Sequence, residues 1–462
     1  VKKSLLLLLV VSLLVLAGCR PFTPEPFSYE SLALPEEYAP GSREEMPSAD
    51  WWLDFNDKGL ALLMEKALKD NFALAKTWAR LAQARASAVV AGAALSPQAQ
   101  AGAGAAFSRR LSDDGPSTER YSLNVLASYE VDLWGRLGSL KEAALLEALQ
   151  AQETVQAATV TVSAQVAENW ISLIYQKALL ALLEEQLETN RATLDLLEFR
   201  FAHALASALD VLQQRQAVEQ VLAQIPLVRA QENRLANSLA FLLGQIPADF
   251  DMEIPGSLPS PFPLPENGIP LNLIAARPDV KAAQLSLESA QWRHAAARAA
   301  RLPALSLTAG AGSEAASFNK VLDNWIANLG ANLLAPVFDG RRRAAQVDID
   351  AALMEERLLD FRSTLFTAIV ETQNALADRQ GLLEQIEALE RELNAAARVF
   401  EEANQRFVRG VNDYLPVITA LLTVQRLERA ILQRRAELLA NRVALHRALG
   451  GVRLAEAGQT AR

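Results

Sequence analysis

One cysteine in 462 residues leaves no partner for an internal disulfide and no thiolate set for a metal cluster. The three histidines, His203, His294 and His446, lie far apart, with no second ligand at metal-binding spacing. Met46, Met64, Met252 and Met354 do not cluster, so no soft-metal site is predicted. Positive charge is also short: 45 Lys+Arg stand against 54 Asp+Glu, a net charge of −9. That excludes the basic surface a nucleic-acid binder needs. No nucleophile elbow is present, and Gly102 and Gly104 lack the following Lys-Ser/Thr of a phosphate loop. No catalytic residue and no enzyme is predicted. Although 51% of residues are hydrophobic, only one run is long and almost purely apolar. A many-helix inner-membrane transporter is thereby excluded.

That single run is N-terminal. Lys2 and Lys3 precede Leu5 to Leu16, broken only by Ser12, which is short for a bilayer span and reads as a secretory signal. It ends in Leu16-Ala17-Gly18-Cys19, which resembles a bacterial lipobox. In that class of signals the cysteine is acylated and becomes the first mature residue. A covalent lipid on Cys19 is expected, and no other cofactor. Arg20, where Asp often means inner-membrane retention in such lipoproteins, leaves outer-membrane delivery open. The plainer alternative is an uncleaved anchor, or a signal with a chance cysteine.

The body is one unit written twice. Asn71-Phe72-Ala73-Leu74 matches Arg277-Pro278-Asp279-Val280, and Pro97 matches Pro303, both 206 residues on. Trp134-Gly135-Arg136 matches Asp339-Gly340-Arg341 at an offset of 205. Arg200-Phe201 with Arg406-Phe407, and Leu243-Gly244 with Leu449-Gly450, return to 206. Six of the 20 prolines fall between Pro21 and Pro47 and seven between Pro247 and Pro270, which makes both stretches linkers. The expected organisation is a signal (1–18), an extended N-terminal segment (19–58), a first repeat (59–244), a Pro-rich linker (245–272), a second repeat (273–450) and a tail (451–462).

Each repeat reads helix, strand, strand, very long helix, turn, helix. The first helix is expected from about Leu60 to Ala94 and the long one from about Leu137 to Ala202, on the order of 100 Å at 1.5 Å per residue. Leu180, Leu183, Leu187, Asn190, Leu194, Leu197 and Phe201 step by three and four, as do Ile386, Leu389, Leu393, Ala396, Phe400, Ala403 and Phe407. That is a coiled-coil seam. The return helix carries Val211, Val218, Val221, Ile225, Val228, Leu235 and Leu242, with Pro226 predicted to interrupt it. Ser207 and Asp210 form a predicted capping pair, and Asp413 is the predicted cap of the second return helix, with Pro416 in its first turn. The hairpin tips fall near 202–209 and 408–414.

The predicted strands alternate. Tyr121, Leu123, Val125, Ala127 and Tyr129 face away from Ser122, Asn124, Leu126 and Ser128. Leu305, Leu307, Ala309 and Ala311 do so against Ser306, Thr308 and Gly310, and Trp325 to Leu333 likewise, with Leu126 and Ile326 off-pattern. Gln98 to Ser108 is the fourth, Ala/Gly-rich strand. About ten residues of apolar/polar alternation fit barrel strands with lipid outside and water inside. Loops from about Ser108 to Arg120 and Glu314 to Asp323 would then face out. Four strands cannot close a spanning barrel, and an open edge in lipid is not viable, so strands must be pooled with other copies. The fold class expected is mainly α with a small β part: long antiparallel coiled coils plus four strands per chain, three copies making a shared barrel of 12 strands.

Several stretches, taken in order, resemble one family. They are Trp51-Trp52 with Phe55, Leu60, Ala67-Leu68 and Asn71; Ser128 through Arg136; Ala276 through Val280; Pro336 through Gly340; and Arg406-Phe407 with Gly410, Tyr414 and Leu415. With the lipobox, the chain resembles the TolC-like outer-membrane efflux proteins, in their NodT-type lipoprotein branch, over essentially its whole mature length. The resemblance implies a homotrimer with a 12-stranded barrel above an α-helical barrel. It implies a lipid-anchored outer-membrane position reaching into the periplasm, and a passive exit duct of a tripartite export system. The implied partners are a periplasmic adaptor (a membrane fusion protein), an inner-membrane pump and outer-membrane lipid. By position in the family motif, Leu415 corresponds to an apolar gate residue and Arg406 to a residue holding the closed end. Phe407 replaces the usual Tyr and is expected in the core; Thr419 stands where some relatives carry Asp, which makes Asp413 the acidic substitute. Tips at Ala204 to Ser207 and Gly410 to Asp413, with Asn412, are the implied adaptor-docking positions. Arg341, Arg342 and Arg343 open a helix against its dipole, for which lipid phosphate is one partner and solvent the other. Trp325 and Tyr129 are candidate interfacial aromatics. The competing class is a lipid-anchored periplasmic coiled-coil adaptor or scaffold, which leaves the strand pairs unused.

Overall fold

A computed structural model describes residues 21–25, 50–109, 117–249, 254–259 and 274–451. The signal sequence, Cys19 and the tail beyond 451 lie outside the described residues. The chain forms two compact units, one built on 21–25, 79–153 and 281–364, the other on 50–78, 154–280 and 365–451.

The first unit holds the sheet. Strands β1 (Gln98–Ser108), β2 (Thr118–Val131), β3 (Ala304–Ala315) and β4 (Ile326–Leu334) lie in the order β1-β2-β3-β4, every pair antiparallel. The register keeps the two faces distinct, as a period of two requires. Val125 stands opposite Ala101 and Ala311, whereas Asn124 stands opposite Gly102 and Gly312. A Cβ on Gly102 would meet the Asn124 Oδ1 at 2.9 Å, and one on Gly310 the Asn328 Oδ1 at 2.7 Å. Glycine is what makes room for the amides on that face. The off-pattern Leu126 and Ile326 share it and are exposed. Between β3 and β4 a single 3-10 turn, Phe318–Lys320, sets the Phe318 ring edge-on to Tyr121 at 5.8 Å. The other loop falls largely at 110–116, outside the described residues.

Two further helices, α1 (Lys58–Asp70) and α2 (Phe72–Ala93), replace the single helix expected over 60–94. The apolar spacing runs through the break; Asn71 makes it. Its backbone is extended (φ −66°, ψ 125°). Its side-chain oxygen accepts the Ala73 and Leu74 amides at 2.9 and 3.0 Å, capping α2. Its amide nitrogen donates to the Leu242 carbonyl at 2.8 Å. The second repeat makes the same joint with other chemistry: Arg277 Nη1 donates to the Ala448 carbonyl at 2.9 Å. Gly244 and Gly450, at φ +67° and +89°, end the return helices beside these donors. A side chain there would strike Asp70 or Arg277.

The long helices are α3 (Arg136–Ala202) and α7 (Arg342–Val408), with α6 (Pro278–Ala299) preceding β3. The first return helix is split into α4 (Ala208–Leu222) and α5 (Ile225–Leu242), with Pro226 in the first turn of α5; the second, α8 (Leu415–Ala448), is continuous. The main core of the helical unit gathers Trp51, Trp52 and Phe55 from a 3-10 turn onto Leu60, Leu63, Met64, Val166, Trp170, Ile174 and Val443. The end of the segment expected to be extended is therefore folded and buried.

Candidate functional site

The hairpin tips of the helical unit are built from two matching turns. At the end of α3, Ala204 N–H donates to the Phe201 carbonyl at 3.0 Å and Leu205 N–H to that of Arg200 at 2.8 Å. At the end of α7, Gly410 N–H donates to Phe407 at 3.0 Å and Val411 N–H to Arg406 at 2.9 Å. Both are Schellman turns and need a left-handed residue. Gly410 supplies it at φ +74°, and Ala204 is forced into it at φ +59°. Past the first turn, Ser207 and Asp210 make a reciprocal capping box, with N···O distances of 2.8 and 3.2 Å. The second tip departs from expectation. Asp413 is exposed and does not cap α8; Tyr414 occupies the cap with helical angles (φ −71°, ψ −26°) and no side-chain cap bond. Pro416 supplies the preset backbone of the first turn instead.

Beneath the tips, Phe407 is buried against Tyr414, ring centroids 5.3 Å apart, with the Arg200 guanidinium 4.7 Å above its ring. The ring face of Phe407 is thus covered by a cation. Tyr414 is the start of a buried hydrogen-bonded chain. Its hydroxyl donates to Gln214 Oε1 at 2.6 Å, and Gln214 Nε2 donates to the Asn190 carbonyl at 2.7 Å. Asn190 Nδ2 donates to Gln425 Oε1 at 3.3 Å; Gln186 Nε2 donates to the Gln425 carbonyl at 3.2 Å and to Glu428 Oε2 at 2.8 Å. Arg429 Nη1 donates to Gln186 Oε1 at 2.5 Å. Burial first, and the nearby Asp210 charge second, push the Tyr414 hydroxyl up, so it stays a donor. The two hairpins are thereby tied together through side chains that all find partners.

Leu415 is 57% exposed at the first turn of α8. Arg406 is exposed and pairs with Glu402 on its own helix at 2.7 Å. Ala204, Ser207, Gly410 and Asp413 are exposed and Asn412 is half-buried. Sequence reasoning missed Tyr414 and Gln214 as linking residues. Gln214 sits three after Val211 and four before Val218, and that polar break in a buried seam was the available signal.

At one end of the sheet, in the first unit, Trp134 Nε1 donates to the Pro303 carbonyl at 2.8 Å, and Arg136 Nη2 reaches both Glu130 oxygens at 2.7 and 2.8 Å. The Asp132 carboxylate accepts the Leu137 and Gly138 amides at 3.0 and 2.8 Å. Arg341 precedes α7 rather than entering it, at φ +69°, and the Asp339 carboxylate accepts the Arg343 amide at 3.3 Å. Trp325 is exposed and Tyr129 half-buried. Among the described residues no helix is long and apolar enough to cross a membrane, and no group of three or more His, Cys, Asp or Glu is placed to hold a metal.

A family model described as "outer membrane efflux protein" matches residues 63–245 and again 269–451, the two matches starting 206 residues apart. The pyoverdine export outer membrane protein OpmQ of Pseudomonas aeruginosa is 32% identical over 456 residues, covering 96% of each chain. The toluene efflux pump outer membrane protein TtgF of Pseudomonas putida is 31% identical over 412 residues, 87% of this chain and 85% of that one. The crystal structure of the outer membrane protein VceC from Vibrio cholerae superposes with a TM-score of 0.82 at 27% identity, over 88% of this chain and 99% of that one. The structure of CusC has a TM-score of 0.85 at 23% identity, over 92% and 99%, and speaks to the fold.

Proposed function

Because the chain belongs to the outer membrane efflux protein family, we propose that three copies close their sheets into one barrel and gather their helices into a tunnel below it. The chain is an outer-membrane efflux channel component. The observation that carries the trimeric reading is the sheet itself. The outer edges of β1 and β4 are unpaired within the described residues, and Leu329 is 89% and Leu333 63% exposed on one face of β4. The other face presents Asn328, Gly330 and Asn332. Such a sheet needs lipid on one side, water on the other and a neighbour at each edge. A tethered helical scaffold supplies none of these.

Small molecules pass through the duct without chemistry, delivered by a periplasmic adaptor and an inner-membrane pump. Relatives are named for pyoverdine and toluene export; in this chain cargo choice belongs to the pump and adaptor, since the duct is open water. Adaptor docking falls to the tips at Ala204, Ser207, Gly410 and Asn412. Closure of the periplasmic end falls to Leu415 and Arg406, with Asp413 beside them. A lipid on Cys19 anchors the chain. In support, Phe22, three residues later, lies 4.6 Å from the Arg298 guanidinium at the end of α6, just ahead of β3. The test is membrane fractionation with unheated gel migration and planar-bilayer recording. An outer-membrane, SDS-resistant trimer that conducts is expected. A water-soluble monomer obtained without detergent would overturn the reading.

A further inference from the structure

We infer that each chain carries a phosphate-type oxyanion site at the end of its sheet, with Arg343 as the ligand-binding cation. The site is a cavity of about 230 Å³ lined by the ends of β2, β3 and β4 and the start of α7: Glu130, Trp134, Arg136, Pro303, Leu334 and Arg343. It is below the roughly 300–1,000 Å³ of a drug-sized pocket and suits a small charged group. Arg343 Nη1 is buried and has no hydrogen-bond partner among the described residues. A buried guanidinium nitrogen without an acceptor is costly, so an acceptor is to be expected there.

The chain's own carboxylates at the site are committed elsewhere. Glu130 gives both oxygens to Arg136, and Asp132 gives its two to the Leu137 and Gly138 amides. Asp339 accepts from the Arg343 backbone amide, not from its side chain. Nor does assembly bring a counter-charge along the closing edge. In the ring proposed above, on which this step rests, the strand that meets β4 is β1 of the next copy. From Asn71 through Ser112 that stretch contains no Asp or Glu, while it carries Lys76, Arg80, Arg85, Arg109 and Arg110. The acceptor therefore comes from outside the protein. A phosphate-type oxyanion matches the guanidinium fork. Two sources share that chemistry: the headgroup of a phospholipid at the membrane surface, and a phosphate-bearing or inorganic oxyanion in the aqueous duct.

The experiment uses the full-length detergent-purified protein, with assembly read independently on unheated gels. Native mass spectrometry with added phosphatidylglycerol, with diacylglycerol as the phosphate-free control, reads the lipid source. The shift in heat dissociation with inorganic phosphate reads the soluble source. Wild type should bind phosphatidylglycerol, or be stabilised by phosphate, and Arg343→Gln should weaken whichever applies about tenfold or more. Arg343→Lys, which keeps charge and loses the fork, should fall between and covers the case in which the glutamine variant does not assemble. Arg391→Gln, which removes an exposed guanidinium paired with Glu387 on its own helix, is the control and should bind as wild type. A conducting wild-type trimer that takes up neither ligand, or variants that bind both as well as wild type does, would overturn the site while leaving the channel reading intact.

Discussion

His446 lies in the last turn of α8, its ring stacked on that of Trp51 at 5.0 Å, and neither ring nitrogen has a hydrogen-bond partner among the described residues. Burial first, and the neighbouring Arg442 charge second, hold its pKa down to about 3. The folded protein therefore keeps the ring neutral where an unfolded chain, with a pKa near 6.5, would take up a proton. The sign follows. The contribution of this group is complete above about pH 6.5 and is lost as pH falls toward 3, with a slope of up to about 1.4 kcal/mol per pH unit in the middle of that range. The temperature of heat dissociation should drop steadily from pH 6.5 to pH 4.5, and His446→Phe, which keeps a ring against Trp51, should flatten that drop. An unchanged slope in the variant would place the acid sensitivity elsewhere. In the sequence His446 looks like an isolated residue on a helix, because the ring that covers it is 395 positions away. Phe407 was legible for the opposite reason: it closes a seam that repeats every three or four residues, and it is buried as that seam requires.

Elements were more legible than residues where the signal is local. The long helices start and stop within a residue or two of their apolar period, with Gly135 and Gly340 ahead of them and a left-handed turn residue, Ala204 or Gly410, just past their ends. The strands follow their alternation. The break at Asn71 was not legible, because apolar spacing continues across it and the decisive bond, to the Leu242 carbonyl, spans 171 residues. The cap of α8 was misassigned for a related reason: Asp413 has the right chemistry, but Pro416 already presets the helix backbone there. At the tips the two repeats differ by one methyl group. Ala204 and Gly410 occupy the same left-handed turn position, 206 residues apart, and only glycine takes it without steric cost. Ala204→Gly should stabilise the first tip by roughly 0.5–1 kcal/mol, and Gly410→Ala should destabilise the second by a similar amount. Amide hydrogen exchange at Leu205 and Val411, whose N–H groups close the two turns, would read both changes. Equal protection in wild type and variants would mean that the turns are held by their neighbours rather than by their backbone.

For the molecule as a whole, the surface left uncovered by one chain specifies what is missing. The seam on α3 is buried within the chain at Leu183 and Leu187, whereas their counterparts on α7, Leu389 and Leu393, are only half-buried; at the tip the order reverses, with Phe407 buried and Phe201 exposed. Together with two free strand edges, that asymmetry asks for neighbours on both sides. The tips follow the same logic. Leu415 is exposed although it begins a helix whose next turn, at Val417 and Ile418, is buried in the core shared with Phe407. Arg406 pairs through Nε with Glu402 of its own helix, leaving further donors of its fork open to another copy. If equivalent tips meet at the closed end, each covered Leu415 contributes about 1.5–3 kcal/mol to closure. Leu415→Ala with Arg406→Ala should then shift the open-to-closed ratio by about tenfold or more. Planar-bilayer recordings should show a higher resting current from a trimer that still resists SDS. The buried chain from Tyr414 to Arg429 lies beneath these two side chains and is not touched by either substitution. A rise in current without loss of heat resistance would therefore place closure in contacts between copies. An unchanged current would return Leu415 and Arg406 to ordinary surface positions of a coiled coil.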